Sequence, residues 1–329
     1  MRNTAHKIAG RHPAKIVPKP VSVPIKQNIY ADKASTATPI IFSSTCARSF
    51  AQYFAAGTYN KFVELDYLGD TAYSNSALFI AGLYNPTFDI WRQIKFNKII
   101  IMFSGYDIIQ LKDVEQRQIL QYFKSRNCVF AVEAPHLQAY IRDLLGIETE
   151  VIYIPTQFKF SVPIRPTPHD YFNVGCYFPG SISTSEHQEW YNYKLISEVA
   201  RRMPDVIFHY YAISGRQPPS PVDSTNIIYY PDPIYNMIHF LEGMNCGIRI
   251  TKHDTYSMSG IEYNLAGRWF INNHYMPHCD IISHNPSIDE VVAAINTIKV
   301  RTGVNNDGFD YYSKLHNMQA FANRISGLL

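Results

Sequence analysis

Residues 246–271 read CGIRITKHDTYSMSGIEYNLAGRWFI. The run from Cys246 to Thr251 is apolar apart from Arg249 and has the length of a buried strand. Lys252, His253 and Asp254 follow where that strand's carboxyl end falls. Ser257, Met258, Ser259 and Gly260 then open a helix, whose first N–H groups lack intrahelical partners and attract an anion such as a phosphate group. A further strand begins at Trp269. Strand, charged loop, helix and strand in this order form one parallel unit, with its ligand-facing loop beyond the first strand.

The same alternation extends in both directions. In the first half, strands are expected at residues 39–42, 61–65, 98–103, 128–132 and 150–154, with helices near 47–54, 75–83, 114–123 and 136–145. Prolines 155, 163, 166 and 168 interrupt the pattern and mark a linker. Beyond it, strands are expected at 171–176, 206–213, 226–230, 247–251, 269–271 and 281–283, and helices at 191–203, 234–242, 259–266 and 288–300. A terminal helix is expected at about 311–325. The fold class is α/β, with two doubly wound, Rossmann-like domains facing a cleft, where parallel sheets bind ligands beyond their strands' carboxyl ends. The expected divisions are a basic, disordered arm at 1–35, a first domain at 36–158, a second at 159–310 and a closing helix at 311–329.

With 329 residues, 46% of them hydrophobic, the chain is long enough for two ordinary domains. Its longest apolar runs are strand-length, well short of the roughly 20 residues needed to span a bilayer. The amino terminus is basic and proline-rich without an apolar core, unlike a secretory signal. Five widely spaced cysteines, with no C-x-x-C pair, fit reduced thiols in a cytoplasmic setting. His274, His278 and Cys279 form an H-x-x-x-H-C cluster, but Pro277 breaks any helix that would align them and no fourth ligand is evident, so no metal is expected. The net charge is only +3, yet residues 1–31 hold six Lys or Arg and no acid. Such an arm suits either a solvated tail or contact with a polyanion.

Asp254 and Glu262 are separated by seven residues. With Arg249, Lys252 and the glycine-containing helix start, this spacing resembles the acidic motif of retaining, nucleotide-sugar-dependent glycosyltransferases with the GT-B fold. Residues 128–156 also resemble the last strand-helix-strand unit of that family's first domain, with Gly146 suited to end the helix and Pro155 the strand. The resemblance implies metal-independent sugar transfer from a nucleoside diphosphate sugar to a hydroxyl, with no other cofactor. It implies that Glu262 holds the ribose hydroxyls, and that Asp254, with His253 beside it, faces the transferred sugar. Arg249, Lys252 and the N–H groups around Ser257, Met258, Ser259 and Gly260 would meet the diphosphate. Tyr230 and Ile234 would cover the base, and Gly105 and Asp107 would lie on the acceptor side. Relatives place a basic residue near Cys176 and Tyr177, which is missing here. Lys194 is the nearest helix candidate and lies farther along. The closing helix packs back on the first domain in such proteins.

Ser259 and Glu262 also match the S-x-x-E capping box, in which each side chain satisfies an orphan backbone N–H. Other readings of the whole chain are a sugar-nucleotide epimerase of the same fold and a noncatalytic nucleic-acid-binding protein. The acceptor stays open among a glycan, a small molecule and a hydroxylated DNA base.

Overall fold

The computed structural model describes residues 39–44, 48–64, 68, 75–82, 96–103, 114–158, 160–166, 170–178, 185–211, 224–230, 234, 236–301 and 303–329. The basic arm, Gly105 and Asp107 lie outside the described residues.

Six strands, β1 (Ile40–Ser44), β2 (Lys61–Phe62), β3 (Ala77–Ala81), β4 (Lys98–Phe103), β5 (Cys128–Val132) and β6 (Glu150–Val151), form a parallel sheet in the order β2-β1-β3-β4-β5-β6. Around it run α1 (Arg48–Gly57), α2 (Val114–Lys124) and α3 (Pro135–Leu145). One expectation is corrected: residues 77–81 form a strand, not part of a helix. All five are buried, and a short, fully buried apolar run carries no periodicity that separates helix from strand.

The second sheet is built from β7 (Phe172–Tyr177), β8 (Val206–Tyr211), β9 (Ile227–Tyr229), β10 (Cys246–Arg249), β11 (Trp269–Asn272) and β12 (Asp280–Ile281). Its order is β12-β11-β10-β7-β8-β9, again parallel. The chain moves outward from β7 to β9, returns to β10 beside β7, and then runs the other way. This reversal opens a crevice beyond the carboxyl ends of β7 and β10, the ligand position in doubly wound sheets. The helices of this lobe are α4 (Ser185–Trp190), α5 (Tyr193–Arg202), α6 (Met237–Glu242), α7 (Met258–Leu265) and α8 (Ile288–Lys299), followed by α9 (Asn306–Leu315) and α10 (Met318–Leu328).

Helix α7 is fixed from two sides. On the second sheet, Tyr263 occupies the space left by two glycines. A Cβ at Gly175 would come 1.7 Å from the Tyr263 hydroxyl, and one at Gly247 would lie 2.7 Å from its ring. On the other side, Ile261 and Leu265 join a buried apolar cluster that includes Ile101, Phe103, Val132 and Leu137 of the first lobe. Arg268, just beyond α7 and 1% exposed, donates from Nε to the Leu241 carbonyl at 2.9 Å and from Nη1 to the Ile164 carbonyl, tying the interlobe segment down.

The single terminal helix of the sequence reading is two. The break falls at His316 and Asn317, where Asn317 Oδ1 accepts the Ala320 N–H at 2.8 Å and caps α10. Phe321 of α10 then sits among Phe54, Phe79 and Phe42 of the first lobe, at centroid distances of 4.6, 5.8 and 6.5 Å.

Gly175→Ala is expected to cost about 1–3 kcal/mol by overpacking against Tyr263, and Tyr263→Phe in the same chain should recover part of that loss. Denaturant unfolding of the two single variants and the double variant checks this.

Candidate functional site

Strand β10 delivers Arg249 to the crevice, and Asp254 folds back onto it. Arg249 Nε donates to Asp254 Oδ2 at 2.5 Å, and both side chains are largely enclosed. The guanidinium also lies over the rings of Tyr177, at the end of β7, and Tyr191, at 5.2 and 5.5 Å. Burial opposes its charge, but the neighbouring Asp254 carboxylate outweighs burial and raises the Arg249 pKa. The sequence puts these residues on separate ligand groups; the fold joins them as one neutral pair.

The other basic candidates stay at the surface. Lys252 donates from Nζ to Glu189 Oε2 at 3.0 Å, and its backbone N–H donates to the Trp190 carbonyl at 2.8 Å. The hydrogen bond from Lys252, followed by its charge, holds the Glu189 carboxyl below its ordinary range, with a smaller pull from Lys194. Lys194 is exposed on α5. The ring of His253 lies 6.4 Å from those of Trp190 and His274. Asn273 grips the strand end on both sides, its Oδ1 accepting the Thr251 N–H at 3.0 Å and its Nδ2 donating to the Thr251 carbonyl at 2.7 Å.

Ser257, not Ser259, caps α7. Its Oγ accepts the Gly260 N–H at 3.1 Å and lies 2.9 Å from Ser259 Oγ. The capping box of Ser259 and Glu262 therefore does not form: the helix already starts at Met258, and Glu262 is its fifth residue, past the orphan N–H groups. Met258 packs against first-lobe residues. Gly260 answers a packing need, since a Cβ there would fall 2.6 Å from Met276 Sδ.

Glu262 is partly buried, and among the described residues no cation or hydrogen-bond donor meets its carboxylate. Desolvation pushes its pKa up to about 8. Its charge helps to raise the Tyr177 and Tyr211 pKa values, and Tyr177 also feels the Arg249–Asp254 pair. Tyr230, just beyond β9, hydrogen-bonds through its hydroxyl to His209 Nδ1 at 3.0 Å and packs on Phe240 at 5.4 Å, with Ile234 against the same apolar cluster.

The H-x-x-x-H-C residues turn to different partners. His274 Nε2 donates to the Thr251 carbonyl at 3.0 Å, His278 packs on Tyr311 at 5.0 Å, and Cys279 Sγ accepts from Asn264 at 3.3 Å. Among the described residues, no group of three or more His, Cys, Asp or Glu could hold a metal ion, and no helix is long and apolar enough to cross a membrane.

Sequence reading missed the neighbours that give the site its shape: Tyr177, Tyr191 and Glu189 in the second lobe, and Glu133 and His136 in the first. Glu133 carried a signal, being a carboxylate directly beyond a strand's carboxyl end.

Solved structures share the whole arrangement of two facing parallel lobes. HepE from Anabaena, in complex with UDP and glucose, superposes with a TM-score of 0.60 at 9% identity, covering 88% of this chain and 98% of that one. The fold is GT-B. TarM matches with a TM-score of 0.54 at 11% identity over 78% of this chain. Sucrose-phosphate synthase from Thermosynechococcus elongatus matches with 0.53 at 12%, over 77% of this chain and 72% of its own. The GT-B chain described here spans 55% of TarM's length. No protein-family model and no curated protein matches the sequence.

The pKa of Glu262 has a consequence for stability. Raised from 4.5 to about 8 in the folded chain, it makes the native state hold a proton that the unfolded chain releases between these values. The favourable contribution is complete below pH 4.5 and is lost as pH rises through 8. Glu262→Gln should match wild-type stability near pH 4 and exceed it by roughly 2–5 kcal/mol above pH 8. Thermal melts at pH 4, 6 and 9 check the trend.

Proposed function

We propose that this chain is a retaining, metal-independent glycosyltransferase that moves a sugar from a nucleoside diphosphate sugar to a hydroxyl. The observation that supports this most is Glu262, a carboxylate that meets no cation among the described residues and lies on the helix after β10 of a GT-B fold. Its two oxygens suit the paired hydroxyls of a ribose, which would supply the donors that the described residues do not. The N–H groups of Met258 and Ser259 at the start of α7, with Lys252 nearby, offer positive potential for the diphosphate and for charge developing on the leaving oxygen. Asp254, oriented by Arg249, would accept hydrogen bonds from the sugar. Tyr230 and Ile234 would flank the base, and Gly105 and Asp107 the acceptor. The co-substrate is a nucleotide sugar; the acceptor is any of the three hydroxyl classes named from sequence. The bound UDP and glucose of the HepE structure are consistent with such a donor.

Incubation with labelled UDP-, GDP- and ADP-sugars and a panel of hydroxyl acceptors tests the reading. The expected result is a glycoside of the donor's own anomeric configuration, formed equally well in EDTA. Loss of turnover on chelation with recovery on manganese would refute metal independence, and an inverted product would refute retention.

Donor binding is expected to release a proton near pH 7, because ribose hydroxyls stabilise the ionised form of Glu262. Glu262→Gln should weaken donor binding by roughly ten- to a hundredfold, from the loss of a charged hydrogen bond of about 1.5–3 kcal/mol, and should abolish that proton release. Calorimetry in buffers of different ionisation enthalpy measures both effects. Unchanged affinity in the variant would sink the assignment of Glu262.

A further inference from the structure

The loop that presents Asp254 belongs to the second lobe, yet the first lobe holds it. Thr255 is the point of contact. Its Oγ1 donates to Glu133 Oε1, its carbonyl accepts from His136 Nε2 at 3.0 Å, and its own N–H donates to Asp254 Oδ1 at 3.1 Å. Asp254 Oδ2 in turn accepts from Arg249. Glu133 follows β5 directly and His136 sits in the first turn of α3, so the end of one first-lobe strand grips Thr255 at both side chain and backbone.

Glu133 is 3% exposed. A buried carboxylate is costly to keep for packing alone, since an apolar residue of similar size fills such a space without the desolvation penalty. The hydrogen bond from Thr255 Oγ1 offsets part of that penalty. Burial also lowers the pKa of His136, which keeps its ring neutral and leaves Nε2–H as the donor to the Thr255 carbonyl.

We propose that Glu133 is a positioning residue for sugar transfer, which from the opposite lobe fixes the Asp254 carboxylate through Thr255. This rests on the glycosyltransferase reading above. The groups assigned to the nucleoside diphosphate, Glu262 and the start of α7, all belong to the second lobe. The group assigned to the sugar is held on Oδ2 by Arg249 and on Oδ1 by Thr255, whose own position is set by Glu133 and His136. Binding of the diphosphate is thereby independent of the clasp, whereas recognition of the sugar requires both lobes in place. A misplacement of about 0.5–1 Å in such a carboxylate is enough to lower turnover.

The test compares wild type with Glu133→Ala, Glu133→Gln, Thr255→Val and Thr255→Ser. Each is titrated with UDP and UDP-glucose, GDP and GDP-glucose, and ADP and ADP-glucose, and turnover is followed with the pair that wild type prefers. Glu133→Ala and Thr255→Val should keep wild-type affinity for the nucleoside diphosphate. Their ratio of nucleotide-sugar to nucleoside diphosphate affinity, and their kcat, should fall by about tenfold or more. Glu133→Gln keeps an oxygen to accept from Thr255, and Thr255→Ser keeps the hydroxyl, so both should recover most of the loss. If diphosphate and nucleotide-sugar affinities fall together with the melting temperature, or if the conservative pair behaves like the disruptive pair, Glu133 is a structural residue only. Should Glu133→Ala fail to fold, the two Thr255 variants decide the matter alone. If wild type binds none of the six probes, the glycosyltransferase reading itself fails and takes this proposal with it, a result visible without any variant.

Discussion

The wedge of Tyr263 between Gly175 and Gly247 sets the geometry on which the rest of the second lobe depends. A glycine on each of two neighbouring strands lets α7 settle close to the sheet, and the phenol ring fills the space their side chains would take. Because α7 is seated there, its amino terminus stands at the crevice between β7 and β10, with Glu262 one turn behind it. The opposite face of the helix is covered by first-lobe residues. A helix constrained on both sides cannot slide or rotate, so the groups at its start keep fixed directions.

Charge is managed unevenly around that helix. Arg249 and Asp254 are enclosed together, with tyrosine faces on the guanidinium, so each charge answers the other's desolvation. Among the described residues Glu262 receives no such match, and burial disfavours its ionised form. Local instability of this kind is expected where a ligand completes the hydrogen bonding, and it accords with the proposed ribose contact. The Gly260 N–H, by contrast, is capped by Ser257 and makes no demand on Glu262.

The lobes are joined by more than a linker. Phe321 of α10 enters the first lobe's aromatic cluster. His316 Nδ1 donates to the Ile154 carbonyl at 2.7 Å, and its ring stacks on Tyr256 at 5.6 Å, beside the loop that holds Asp254. Burial keeps this imidazole neutral, with its pKa lowered to about 4. The crossover, the terminal helices and the site loop therefore meet at one apolar joint.

The sequence by itself determined the parallel α/β class, the two-sheet division and the position of the motif loop. Each depends on local order: apolar runs of strand length, helical spacing between them, and turn residues at Gly146 and Pro155. It could not distinguish strand from helix at residues 77–81, because uniform burial erases periodicity. Nor could it find the break at Asn317, since Asn within a helical pattern reads equally as a cap or an exposed face. Only the tertiary structure decided that Arg249 is spent on Asp254, that Lys252 turns to Glu189, and that Glu133 and His136 reach Thr255 from more than a hundred positions away. Those pairings follow from which strand ends face each other across the lobes, a geometric outcome that no spacing within a single segment encodes.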